Sequence, residues 1–230
     1  MPKGITNNDF GNTMWKKKLT TTLLCIVAAI SIAMGAALFL GKTPSLSSEK
    51  INEAKTFAEE KGFNPDYCIF VDFSAYSGSK RFMLYSFKED KVIYSCKCAH
   101  GNDGSEKMEA TEQSFSNEKG SHKSSLGKYK IGKKRTMNTI DGAIDISKLK
   151  ISCYEMHGLE KTNSNAHSRG IRGILLHPDP TLTNMPTPLL PWHSLGCFSI
   201  PYSAFNTFSK YIDQSKRPIL LWAFYDTNTD

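Results

Sequence analysis

The strongest constraint on this chain is a run of 23 residues, Leu19 to Gly41, that carries no charged side chain and is rich in Leu, Ile, Ala and Thr. As a helix it spans about 34 Å at ~1.5 Å per residue, which crosses the hydrocarbon core of a bilayer. Lys16, Lys17 and Lys18 stand immediately before it. Basic flanks stay in the cytoplasm, so the N-terminus is expected inside and everything after about residue 43 outside. A cleaved secretory signal has an apolar region of only ~7 to 15 residues, whereas here apolar residues continue through Leu40. An uncleaved anchor is therefore the expectation, and either reading exports the C-terminal part. The expected organisation is a cytoplasmic tail over 1–18, a transmembrane anchor over 19–41, a stalk with a short helix over 42–62 and a folded domain over 63–230. That is a single-pass protein of the cytoplasmic (inner) membrane with an extracytoplasmic, periplasmic domain.

The formal charge of +7 first suggests an anionic partner, and its position along the chain answers most of that suggestion. Residues 1–42 hold five lysines against Asp9 alone, a net +4, which leaves +3 for the other 188 residues. A nucleic-acid binder shows basic clusters interleaved with aromatics inside its folded part. The one candidate, Lys128 to Arg135, reads as a solvated strand edge followed by a turn, so no nucleic-acid partner is expected.

Past the anchor, Ile51 to Lys61 reads as a helix ending at Gly62, with Ser47 or Ser48 as cap. Tyr67 to Ser74, Arg81 to Phe87 and Lys91 to Ala99 are dense in β-branched and aromatic residues and read as three strands in hairpin order. His100 to Gly120 is polar and without period, a long loop. Strand-like pieces resume at 127–131, 143–146, 151–156 and 171–177, Ser203 to Ile212 has helical spacing, and Pro218 to Tyr225 closes the chain as a strand. Many short strands and few helices predict a mainly β fold, an antiparallel β-sandwich or barrel-like domain with short helices. Five of the ten prolines lie between Pro178 and Pro191. That segment is expected to be an ordered loop and not a helix or central strand.

Five cysteines follow the anchor: Cys68, Cys96, Cys98, Cys153 and Cys197. An odd number in an exported domain leaves at least one thiol unpaired or pairs it with another chain. Cys96 and Cys98 flank Lys97 on a strand and so share a face, where burial is their expected role. Cys197 stands apart. The Pro-rich loop runs from His177, at the end of the apolar strand Gly173-Ile174-Leu175-Leu176, to the turn Ser194-Leu195-Gly196-Cys197. A strand end holds a side chain rigidly at a rim, and a glycine permits a tight bend in which amide N–H groups converge. A cysteine of pKa near 8.5 is only about 3% thiolate at pH 7, and lowering the pKa by about two units, roughly 2.7 kcal/mol, makes most of it nucleophilic. An imidazole can supply that shift and later protonate a leaving amine, while the amides of Gly196 and Cys197 can hold an oxyanion.

A histidine, sixteen intervening residues and then Ser194-Leu195-Gly196-Cys197 resembles the motif of the L,D-transpeptidases of the YkuD type. Upstream, Phe115-Ser116-Asn117, Gly120-Ser121, Ser124-Ser125-Leu126-Gly127, Gly158-Leu159-Glu160, Asn165-Ala166 and Ser168-Arg169 resemble the murein L,D-transpeptidase catalytic-domain branch. The resemblance covers about Asp66 to Ile212. It implies a cysteine acyltransferase on peptidoglycan stem peptides: the thiol attacks the carbonyl of the L-centre residue of a tetrapeptide stem, D-alanine leaves, and a second stem's amine resolves the thioester. Carried over, Cys197 is the nucleophile, His177 the base and acid, and Gly196 with Cys197 the oxyanion amides. Ser194 orients the turn, and Ser125 and Gly127 line the donor groove. Beside the turn, His193 is a candidate substrate contact and Trp192 a candidate wall of the cleft. Pro178 departs from the glycine usual after the histidine. Phe198-Ser199-Ile200-Pro201 follows the cysteine without an arginine to hold a carboxylate. The histidine's second nitrogen has two candidate partners, Asp179 and a backbone carbonyl.

No cofactor and no metal is expected, because neither a His-Glu-x-x-His nor a Cys-x-x-Cys framework is present. A penicillin-binding type of serine enzyme lacks its Lys-Thr-Gly element here. The remaining alternatives are an L,D-carboxypeptidase, in which water replaces the amine, and a catalytically silent, membrane-anchored wall-binding module.

Overall fold

The computed structural model describes residues 7–40, 43–102, 114–137, 151–167, 171–185 and 194–226. The chain divides into two compact units, residues 1–39 and 40–230. The first is the helix α1 (Asn7–Leu40). Within it, Lys17–Gly35 is long and apolar enough to cross a membrane. Its hydroxyls turn inward: Thr21, Thr22 and Ser31 each donate to the carbonyl four residues earlier at 2.9 Å. That bond removes the cost of carrying a hydroxyl into an apolar medium.

The second unit opens with α2 (Ser48–Glu60). Ser47 caps it by accepting the Lys50 amide at 3.2 Å, and Gly62, at φ +72°, ends it. The cap and stop are those expected from the sequence. There follow β1 (Tyr67–Asp72), β2 (Phe82–Ser86), β3 (Lys91–Cys96), β4 (Gly127–Met137), β5 (Ile151–Gly158), β6 (Leu175–Asp179), β7 (Phe198–Pro201), the helix α3 (Tyr202–Gln214) and β8 (Leu220–Phe224). A single turn of 3-10 helix spans Lys161–Asn163. The expected strand over 143–146 lies outside the described residues.

The eight strands form one sheet in the order β3-β2-β1-β8-β4-β5-β6-β7. Its two ends meet. Ala99, just past β3, bridges to Ser199 of β7 through Ala99 N–H to Ser199 O at 2.8 Å, and Gly101 bridges to Ser194. The result is the mainly β, nearly closed, barrel-like sheet that the sequence predicts. Most neighbours are antiparallel, but β1 with β8 and β6 with β7 run parallel. Parallel pairing needs a long crossover, and the Pro-rich segment supplies one between β6 and β7.

Burial explains why this order holds. One face of the sheet carries Ile69, Val71, Phe82, Leu84, Tyr129, Tyr154, Met156, Leu176, Phe198 and Ile200, closed by Ala204, Phe205 and Phe208 of α3. The opposite face of β1, β2 and β8 presents Cys68, Phe70, Met83, Leu220 and Trp222 to Ala54 and Ala58 of α2. α2 is thus packed on the domain.

Three local expectations need correction. Pro178 lies inside β6, an internal strand. The β5 ladder reaches only Leu176, so the missing N–H at Pro178 falls where only β7 is paired. β4 does not stop at a turn after Ile131 but bulges between Ile131 and Lys134 and runs on to Met137. Gly132 makes the bulge, since a Cβ there would come within 2.3 Å of the His157 ring. Lys128 is no solvated edge: it is buried, with its ammonium 2.7 Å from Glu53, 3.1 Å from Glu160 and 4.0 Å from the centre of the Trp222 ring.

Candidate active site

β6 and β7 place the two candidate reactive side chains. In the parallel ladder Leu176 pairs with Phe198 and His177 with Ser199. Leu176, Phe198 and Ile200 point into the core, so alternation turns His177, Ser199 and, one residue before β7, Cys197 to the other face. Cys197 and His177 then lie diagonally across neighbouring strands, about 8 Å apart at Cα from a ~4.8 Å strand spacing and ~3.3 Å rise.

The turn before Cys197 is held from three sides. The Ser194 hydroxyl accepts the Gly196 amide at 3.2 Å and donates to the Cys197 carbonyl at 2.6 Å. The Ser194 amide donates to His100 O at 2.8 Å, and Asn102 N–H returns to Ser194 O at 3.2 Å. Gly196 sits at φ +112°, open to glycine and strained for any other residue. A Cβ there would meet Arg172 Nη2 at 2.9 Å and Lys123 O at 3.2 Å. From below, the fully buried Ser124 hydroxyl accepts Gly101 N–H at 2.8 Å and donates to Gly196 O at 3.1 Å.

Ser194, Gly196, Cys197 and His177 are therefore gathered in one place. Ser125 and Gly127 follow Ser124 in the chain, and each is held by contacts within the domain. Ser125 is fully buried, donates to Ser116 O at 2.8 Å and offers its own carbonyl to the Tyr129 hydroxyl. Gly127, at φ +124°, packs under Glu160, Thr162 and Asn163, where no side chain fits. Trp192, His193 and Arg169 lie outside the described residues. The Gly196 N–H, expected as an oxyanion donor, donates to the Ser194 hydroxyl at 3.2 Å in this structure.

Sequence reasoning missed two supports. One is Ser124. The other is Arg172, whose guanidinium donates to the carbonyls of Ser116 and Lys123 and reaches Ser125 Oγ at 3.4 Å. Burial lowers the Arg172 pKa, and proximity to Tyr129 and Cys197 opposes that shift. A lone arginine five residues before a histidine carries no signal until the fold brings it under the turn.

The resting electrostatics overturn one expectation. Cys197 is half-buried, and burial pushes its thiol up to about 11, against a Leu175 N–H bond and the charges of Arg172 and Arg135. His177 is 4% exposed, and burial holds its pKa below the usual value despite the Pro178 carbonyl and Asp179. Burial thus favours the neutral form of both groups, the opposite direction to the lowered thiol pKa expected. His177 Nδ1–H donates to the Pro178 carbonyl at 2.9 Å, which decides between the two expected partners, while Asp179 instead accepts from Thr181. That tautomer leaves Nε2 as an acceptor, and the buried Ser199 hydroxyl lies 3.1 Å from it. No hydrogen bond joins Cys197 to His177 among the described residues. Each of the six cysteines is a free thiol, and Cys96 and Cys98 are core residues on one face as expected.

A family model described as the L,D-transpeptidase catalytic domain matches residues 42–222. The chain belongs to this family. No curated protein matches it. Among solved structures, this L,D-transpeptidase domain resembles three proteins at low identity. The first is the helical cell shape determining protein Pgp2 from Campylobacter jejuni, at 12% identity and TM-score 0.41, over 71% of this chain and 49% of that one. The second is a mutant of an Enterococcus faecium L,D-transpeptidase, at 13% and 0.39, over 70% and 52%. The third is the L,D-transpeptidase of Xylanimonas cellulosilytica, at 11% and 0.38, over 83% and 90%. The chain spans about half the length of the Campylobacter and Enterococcus proteins.

Proposed function

We propose that this chain is a membrane-tethered cysteine acyltransferase of peptidoglycan stem peptides, an L,D-transpeptidase in activity as well as in family. The observation that carries the reading is the shared face of β6 and β7, which presents Cys197 from a pinned turn and His177 with its tautomer fixed. In acylation the Cys197 proton passes to His177 Nε2 once Ser199 releases that lone pair. The sulfur then bonds to the carbonyl carbon of the L-centre residue. The Cys197 amide steadies the oxyanion. As the C–N bond breaks, His177 returns the proton to the departing amine of D-alanine. A second stem's amine attacks the thioester, gives its proton to His177 and frees the thiol. Trp192 and His193 are proposed to line the acceptor side.

Burial of a thiol and imidazole as a neutral pair suits this sequence, since charge then develops only when substrate has displaced water. The anchor reading assigns α1 to the cytoplasmic membrane, with Lys16 to Lys18 inside and the domain outside, where such stems lie. If water outcompetes the amine, the same residues make an L,D-carboxypeptidase. One further reading has specific support: the raised thiol and the occupied Nε2 suit a silent wall-binding module.

Incubation of the full-length protein with tetrapeptide muropeptides, followed by mass analysis, separates the three. Cross-linked dimers with D-alanine loss support transpeptidation, loss without dimers supports hydrolysis, and binding without loss supports the silent module. Cys197→Ala is expected to abolish both D-alanine release and covalent labelling by a carbapenem. Equal labelling of the two proteins removes Cys197 from the mechanism.

A further inference from the structure

The face that carries Cys197 and His177 continues one strand further, and there it buries a charge with no counterpart among the described residues. Cys96 and Cys98 lie in the core, so Lys97 between them points to the opposite face. The pairs Ala99 with Ser199 and His177 with Ser199 set that face in register with the site. Ala99, Ser199 and His177 make one row across the strands. Two residues on, continuation of the same registers makes the next row Lys97, Pro201 and Asp179. The crossover covers this row: Asn184 accepts the Lys97 amide at 3.1 Å and donates to Ser95 O at 3.4 Å.

Lys97 is 2% exposed, and among the described residues its ammonium makes no hydrogen bond or ion pair. Burial alone lowers its pKa, and no carboxylate opposes the shift. Asp179, in the same row, lies beyond β7, and its Oδ1 accepts both the amide and the hydroxyl of Thr181, at 2.8 and 2.6 Å. The other cations near the sulfur are engaged. Arg172 is held by two carbonyls, and Arg135 lies 3.6 Å from Glu155. A buried cation without a partner is costly, and an anionic ligand relieves the cost.

Order along the strands indicates which anion. From one end it is Cys197, then His177 with Ser199, then Lys97. A chain-terminal residue about to leave a peptide presents its scissile carbonyl, its amine nitrogen and its carboxylate in that same order. We infer that Lys97 reads the free C-terminal carboxylate of the donor stem, pairing with it beneath the crossover while His177 protonates the departing amine. The direction of this assignment rests on the acyl-transfer reading above, and the pairing itself needs no turnover. The site so built selects peptide ends: an internal peptide bond, or an end capped as an amide, leaves the ammonium buried and unpaired.

The test is equilibrium binding to the full-length chain in detergent carrying Cys197→Ala, which cannot turn over. The probe is a tetrapeptide stem ending in L-lysyl-D-alanine, offered as the free acid and as the carboxamide. The acid is expected to bind at least about tenfold more tightly, as for a hydrogen bond to a charged group. Lys97→Met should erase that gap and Lys97→Arg should restore most of it. A gap that survives Lys97→Met, or no gap in the parent, overturns the inference. Met keeps the length and removes an uncompensated charge, so Tm should not fall, and Lys97→Gln gives a second neutral variant for the same comparison. Turnover of the acid peptide by the protein with Cys197 intact reports separately. A Lys97-dependent gap without turnover upholds the pairing and overturns the enzymatic reading, and turnover without a gap does the reverse.

Discussion

Two lysines buried against the same sheet behave in opposite ways, and the difference separates the flank that holds the fold from the flank proposed to meet substrate. Under α2, burial pulls down on Lys128, but Glu53 and Glu160 more than reverse it, and the ammonium titrates above its usual range. Under the crossover, Lys97 has burial acting alone and titrates below that range. One charge is answered within the fold. The other has no partner among the described residues. A protein gains nothing in stability from an unpaired buried cation, and under the proposal above its place beside Cys197 and His177 is explained by a ligand.

The contrast can be broken most severely at the backbone of the ligand flank. Gly196→Ala places a Cβ against Arg172 and Lys123 at a positive φ. It should cost about 3 kcal/mol in urea unfolding and remove carbapenem labelling of Cys197. Unchanged labelling would mean the turn is not what presents the sulfur. On the other flank, Lys128→Met loses two charge-assisted hydrogen bonds and a ring contact, though Glu53 and Glu160 remain partly solvated. A loss of about 2 kcal/mol is expected by the same measurement. A result near zero, matching Lys97→Met, would dissolve the comparison. The subtlest effect is on pH. His177 is buried neutral with a depressed pKa, so its contribution to stability is present above the unfolded pKa of about 6.5 and is lost as pH falls through the folded value. Unfolding free energies at pH 7 and pH 5 should therefore converge in His177→Gln relative to the parent. Identical acid sensitivity in both proteins would place the titrating group elsewhere.

Much of this was legible in the sequence because the signals are local. The cap at Ser47, the stop at Gly62, the face shared by Cys96 and Cys98 and the amphipathic spacing of Phe205 and Phe208 each depend on residues a few positions apart. β7 was not legible. Phe198-Ser199-Ile200-Pro201 is buried on both faces, it ends in a proline, and four residues make too short a run to read as a strand. The contacts of Ser125 and Gly127 were not legible for a related reason: Ser125 donates to the Ser116 carbonyl and Gly127 is crowded by Glu160 and Asn163, neighbours that only the folded chain brings together. Arg172 and Lys97 acquire meaning only through register, which is long-range information.

The seam between Ala99 and Ser199 joins positions 100 residues apart, with Gly101 to Ser194 alongside it. Contacts of such separation form late, after the local hairpins have already paid the entropy of ordering the chain. The bend at Gly196 leans on Gly101 and Ser124, so it exists only once that seam has shut. A chain whose seam is still open therefore carries Cys197 as an ordinary sulfhydryl, and the turn that presents it is set by the last stitch of folding.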